Sequence, residues 1–134
     1  MSTTTVTGRS TRRSARLLPV VADLVCVLAF AVAGKDTHDA GASTWVVLAI
    51  VWPFATAALV AHAGLARAGR SSEALWPAGV LVVATTYVLG MALRVVSGRG
   101  TATGFLVVAL VFLLVTMLGW RLGRRLWLAR RARS

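Results

Sequence analysis

Apolar residues along this chain fall into four long runs separated by short polar gaps. The first extends from Leu17 to Gly34 and carries one charge, Asp23. The second, Thr44 to Ala66, contains Pro53 and His62, and the third, Leu75 to Val96, holds Arg94 near its end. The fourth opens near Thr101, stays uncharged through Trp120, and passes at Arg121 into a basic segment. A helix needs about 20 mostly apolar residues to cross a bilayer, and each run comes close to that length. None shows the period-two alternation of strands, and each is about twice as long as a barrel strand requires. The pattern therefore predicts an all-α fold with spanning helices at about 17–34, 44–66, 75–96 and 101–128.

The gaps are rich in turn residues: Asp36, Asp39, Gly41 and Ser43 in the first, Gly69, Ser71 and Ser72 in the second, and Ser97-Gly98-Arg99-Gly100 in the third. Connections this short force neighbouring helices to run antiparallel, which gives an up-down four-helix bundle over residues 17–128. Residues 1–16 are expected to be a basic disordered segment, and 129–134 a basic tail.

Composition then removes the soluble alternatives. The 134 residues are 57% hydrophobic yet carry a net charge of +11, and the mean hydropathy is +0.77. A soluble domain of this size cannot bury so much apolar surface. A disordered basic chain lacks such residues. One cysteine, Cys26, excludes a disulfide scaffold. Fourteen of the fifteen cations are arginine, a bias that fits a GC-rich bacterial genome better than phosphate recognition.

Charge also predicts orientation. Twelve cations fall in the N-terminal segment, the middle gap and the C-terminal tail, against three (Lys35, Arg94 and Arg99) on the other side. Positive loops stay inside, so both termini are expected to be cytoplasmic in a multi-pass protein of the bacterial plasma membrane. The tryptophans fit: Trp45 falls at the outer interface, Trp76, Trp120 and Trp127 at the inner one, and only Trp52 lies deep. The alternative for the first run is a cleaved secretory signal, with a basic leader and Ala31-Val32-Ala33 as the cleavage site. Asp23 inside the run argues against it.

Ionisable residues within spans are costly and mark sites. Asp23 lies roughly 9 Å below the inner surface at 1.5 Å per residue, and His62 and Arg121 reach compatible depths from two other helices. A buried Asp23–Arg121 pair flanked by His62 is geometrically possible, either as a structural latch or as a seat for proton or ligand chemistry. Arg121 alone could instead snorkel to headgroups. On the outer side Lys35, Asp36, His38, Asp39 and Arg94 form a second candidate cluster, read as an ion-paired loop packing onto Arg94. His38 adds an imidazole that titrates near neutral pH. Metal binding is not expected, because the ligand types lie within four residues and lack a second pair from elsewhere.

Near the midplane, Pro53 frees the carbonyl of Ala49, and a hydroxyl from Thr56, Thr85, Thr86 or Tyr87 is expected to answer it. Trp52, Pro53, Thr86 and Tyr87 thus form a third candidate group. Gly100/Gly104 and Gly119/Gly123 have the spacing of close helix approach. There is no catalytic constellation and no cofactor motif. Glu73 reads as a solvated charge. Arg124, Arg125 and Arg130, interleaved with Trp127 and Leu128, are expected to contact anionic inner-leaflet lipids rather than nucleic acid.

Several of these positions come in a recognisable order: Asp23, then Gly34-Lys35-Asp36-Thr37-His38, Trp52-Pro53-Phe54, Gly90-Met91-Ala92-Leu93-Arg94 and Gly119-Trp120-Arg121. In that order and spacing the chain resembles the small prokaryotic membrane proteins of domain-of-unknown-function family 3054, from about Val20 to Arg121. The resemblance implies a four-helix integral membrane protein, found mainly in actinobacteria and haloarchaea, and it implies no activity. It singles out Asp23, His38, Arg94 and Arg121. The chain departs from the family at Lys35, where an arginine is usual.

The leading functional expectation is a non-enzymatic scaffold or accessory subunit of a membrane complex, with lipid, a second copy or another membrane protein as partner. The alternatives are an oligomeric transporter or channel for a proton or small solute through Asp23, His62 and Arg121, and a membrane enzyme or a lipid or pigment binder.

Overall fold

The computed structural model describes the backbone of residues 7–36 and 44–133, and the side chains of residues 16–34 and 44–133. Four helices make up the described chain: α1 (Thr7–Asp36), α2 (Thr44–Arg67), α3 (Leu75–Val96) and α4 (Thr103–Arg131). Among the described residues there is no strand. Each helix contains a stretch long and apolar enough to cross a membrane, with mean hydropathy from 1.9 to 2.4. The fold class and the up-down order follow the apolar pattern.

One boundary differs. The backbone of α1 is helical from Thr7, so the basic segment expected to be disordered up to residue 16 continues the helix. Nothing between Thr7 and Leu17 breaks a helix, since glycine and proline are absent there apart from Gly8, and arginine is a good helix former. At the other end α4 runs on to Arg131, and at 1.5 Å per residue its 29 residues span about 43 Å. That exceeds a hydrocarbon core of about 30 Å, so the helix is longer than a single crossing requires.

Two of the helices are irregular. α3 opens with a wide turn, Leu75–Gly79, and is regular from Val80. Within that turn Trp76 is extended (φ −128°, ψ 137°), as the residue before a proline tends to be, and the Trp76–Pro77 peptide is cis. α4 is regular over Thr103–Leu113, widens at Leu114–Leu118, and resumes at Gly119. Thr116 lies in the widened turn and donates its hydroxyl to the carbonyl of Phe112, one turn back, at 2.7 Å. Such a turn shifts the helix face beyond it by about one residue. Trp120 and Arg121 follow directly.

α2 packs along both α1 and α3, and α4 closes the bundle against α1 and α3. The apolar core is aromatic in the half of the bundle away from the described termini. Phe30 of α1 meets Phe54 of α2 edge-on, with centroids 5.4 Å apart, and lies 5.7 and 5.6 Å from Phe105 and Phe112 of α4. α3 contributes a gap rather than a ring: a Cβ at Gly90 would lie 2.5 Å from Phe54 Cδ1. Gly90 therefore sets how closely α2 and α3 approach. The glycine pairs singled out by spacing do not play this part. At Gly100, Gly104, Gly119 and Gly123 an added Cβ would meet nothing within 4 Å.

Candidate functional site

At the end of the bundle where α1 begins and α4 ends, three helices meet at one carboxylate. Asp23, fully buried, projects from α1. Arg121 of α4, 2% exposed, grips it with both terminal nitrogens: Nη1 donates to Oδ1 at 2.8 Å and Nη2 to Oδ2 at 2.6 Å. His62 Nε2 of α2 lies 2.8 Å from Oδ2, and the indole Nε1 of Trp120 donates to Oδ1 at 2.8 Å. Each carboxylate oxygen thus has two partners.

Arg121 is equally committed. Its Nε donates to the carbonyl of Ser72 in the α2–α3 connection at 3.1 Å, and Nη1 also donates to Met117 O, one turn back, at 2.7 Å. The guanidinium also lies 4.6 Å from the centroid of the Trp120 ring. α3 provides the room, for a Cβ at Gly79 would come within 2.9 Å of Arg121 Cδ and of Ala74 O. A bidentate pair of this kind, with the remaining donors and acceptors filled, is the arrangement in which a buried ion pair is tolerated.

Asp23, His62 and Arg121, which burial cost singles out in the sequence, are therefore in direct contact. Arg121 does not snorkel. The pattern missed two members. Trp120 reads as an interfacial anchor, but its indole N–H is spent on Asp23, and its place beside Arg121 was the available signal. Gly79 is a lone glycine near a proline, and nothing local marks it as the seat of a side chain from another helix.

The His62 ring has two sides. Nε2 faces Asp23, which places a proton on that nitrogen, while Nδ1 is buried without a hydrogen-bond partner among the described residues. His62 also lines a cavity of about 430 Å³ that opens at this end of the bundle, together with Arg16, Arg70, Ser71, Ser72 and Glu73. Glu73 is not the free solvated charge that its position in a gap suggests. Its Oε2 is ion-paired with Arg124 Nη1, so Arg124 is engaged within the protein. Arg125 and Arg130 lie on the exposed face of α4 beyond it.

The other described candidates do not join this site. The side chains of Lys35, Asp36, His38 and Asp39 lie outside the described residues. Arg94 donates Nε to Gly100 O at 3.3 Å and lies 4.1 Å above the Phe105 ring, and its expected packing against that loop falls outside the described residues. At mid-depth Pro53 is buried, but Trp52 is 44% exposed on the outer face of α2. Tyr87 donates to Leu106 O at 3.1 Å, tying α3 to α4, and the buried Thr86 hydroxyl has no partner among the described residues. Of the hydroxyls expected near Ala49, that of Tyr87 is therefore spent on Leu106. Among the described residues no three of His, Cys, Asp and Glu come together as metal ligands.

Comparison with curated proteins and with solved structures gives no match. The family model described as "Protein of unknown function (DUF3054)" matches residues 20–123, a span that takes in Asp23, His62, Gly79, Gly90 and Arg121. The chain belongs to the DUF3054 family.

Proposed function

We propose that this DUF3054 protein is a non-enzymatic multi-pass protein of the bacterial plasma membrane, with both termini cytoplasmic, acting as a small scaffold or accessory subunit of a membrane complex. The observation that carries the reading is the saturation of Asp23. Its two oxygens accept from or pair with Arg121, Trp120 and His62, so the charge inside the spans is spent on joining α1, α2 and α4. A carboxylate held this way has no free lone pair for a passing solute. Outside, all four helices expose aliphatic side chains, such as Val25 at 58%, Val60 at 50%, Val88 at 66% and Val115 at 66%, which suits lipid or the helices of a membrane partner.

A second reading, transport of a proton or small solute by an oligomer, draws on the cavity that reaches His62. Reconstitution separates the two. Vesicles holding the wild-type protein should leak protons and small solutes no faster than empty vesicles, and Asp23→Asn should change nothing. Flux above background that Asp23→Asn abolishes would move the assignment to transport.

A further inference from the structure

We infer that the cavity beside His62 is a binding site for a phosphate-bearing anion, either the headgroup of an anionic phospholipid or a free phosphate. This goes beyond the general attraction of a basic tail for a membrane, because it names one site built from three parts of the chain. The cavity has about 430 Å³, within the range of small-molecule sites. Its wall carries Arg16 from α1, His62 from α2, and Arg70, Ser71 and Ser72 from the α2–α3 connection.

The charge balance inside it is positive. The negative groups nearby already have partners: Asp23 is matched by Arg121, and Glu73, which also lines the cavity, by Arg124. Arg16 and Arg70 are exposed on its rim and are left as the cations that an incoming anion meets first. Guanidinium and hydroxyl donors together are the usual equipment for phosphate oxygens.

A second and independent pointer is the unsatisfied nitrogen. His62 is 6% exposed, its Nε2 is held by Asp23, and its Nδ1 is buried with no partner among the described residues. A buried polar atom without a partner is rare, and a bound group commonly explains it. A phosphate-bearing group seated against His62 would supply the partner that Nδ1 lacks. Occupancy would thus connect the surface, through His62, to the Asp23 network that holds the helices.

The test uses the full chain in nanodiscs of phosphatidylcholine, with either phosphatidylglycerol or inorganic phosphate added, and native mass spectrometry with titration of the His62 ring nitrogen signals as readouts. Wild type should retain one anion, and the Nδ1 signal should shift on binding. Arg16→Gln and Arg70→Gln, both at exposed positions, should each weaken binding about tenfold, the effect of losing one charge-assisted hydrogen bond. Arg133→Gln, on the tail outside the cavity, should leave it unchanged. Retention of phosphatidylglycerol alone identifies a headgroup site, and binding of inorganic phosphate alone identifies a free-anion site. The inference is overturned if neither probe binds, if the two cavity variants bind like wild type, or if Arg133→Gln loses as much as they do.

Discussion

The two halves of this bundle join the same four helices by opposite chemistry. Near the described termini the joint is polar: Asp23, His62, Trp120 and Arg121, with Gly79 giving Arg121 its place. In the other half it is aromatic: Phe30, Phe54, Phe105 and Phe112, with Gly90 giving Phe54 its place. In water both would be called core. In a bilayer they differ sharply, because lipid tails are as apolar as phenylalanine and give no hydrophobic drive for rings to leave them. The aromatic half holds mainly by shape and dispersion, with the Tyr87–Leu106 hydrogen bond beside the rings. In the proposed membrane setting the polar half holds because its alternative is a bare charge in hydrocarbon. There the difference assigns helix order to the first, and closeness of packing to the second.

That contrast breaks most visibly at the polar joint. Asp23→Ala leaves the Arg121 guanidinium buried and unpaired, a change that costs about 3–5 kcal/mol in buried ion pairs. Folded protein extracted in mild detergent, measured by size-exclusion yield and thermal unfolding, should fall further for this variant than for any other single change in α1. Normal yield and stability would end the latch reading.

Gly90→Ala probes the aromatic joint. Its Cβ would sit 2.5 Å from Phe54 Cδ1, so either the ring or the helix must move, at about 1–3 kcal/mol for overpacking. Trimming the ring in Gly90→Ala/Phe54→Leu should recover much of the loss in the same thermal measurement. Failure to recover would mean that the close approach of α2 and α3 is not what Gly90 provides.

The smallest effect is expected where the polar network meets solvent. The Glu73–Arg124 pair is part-exposed, and such pairs contribute about 0–1 kcal/mol. Arg124→Ala should shift the unfolding temperature little, and less in high salt. A loss rivalling Asp23→Ala would place Arg124 inside the joint rather than at its edge.

How much of this was legible follows the same division. A charge in an apolar run stands out because burying it is costly, so Asp23, His62 and Arg121 could be selected, and helix spacing put them at one depth. Trp120 was visible but misassigned, because an indole at a helix end serves equally as a headgroup anchor or as a hydrogen-bond donor. Gly79 and Gly90 were not legible. A glycine's use as clearance depends on a side chain from another helix, and the spacing rule pointed to Gly100/Gly104 and Gly119/Gly123, where the structure leaves open space. The widened turn at Leu114–Leu118 has no glycine or proline to announce it either. The aromatic joint was equally hidden, since phenylalanines in an apolar run carry no sign of which way they face.

The central claim is that Asp23 and Arg121 act as one structural unit, and a double-mutant cycle tests it most directly. Arg121→Met and Asp23→Leu should each lower the thermal stability of the detergent-solubilised protein severely, because each leaves the other group buried and uncompensated. The pair Asp23→Leu/Arg121→Met removes both charges and keeps the volume, and apolar replacements of this kind are often neutral or stabilising. The account predicts that the double variant recovers most of the lost stability. Losses that simply add in the double variant would contradict it.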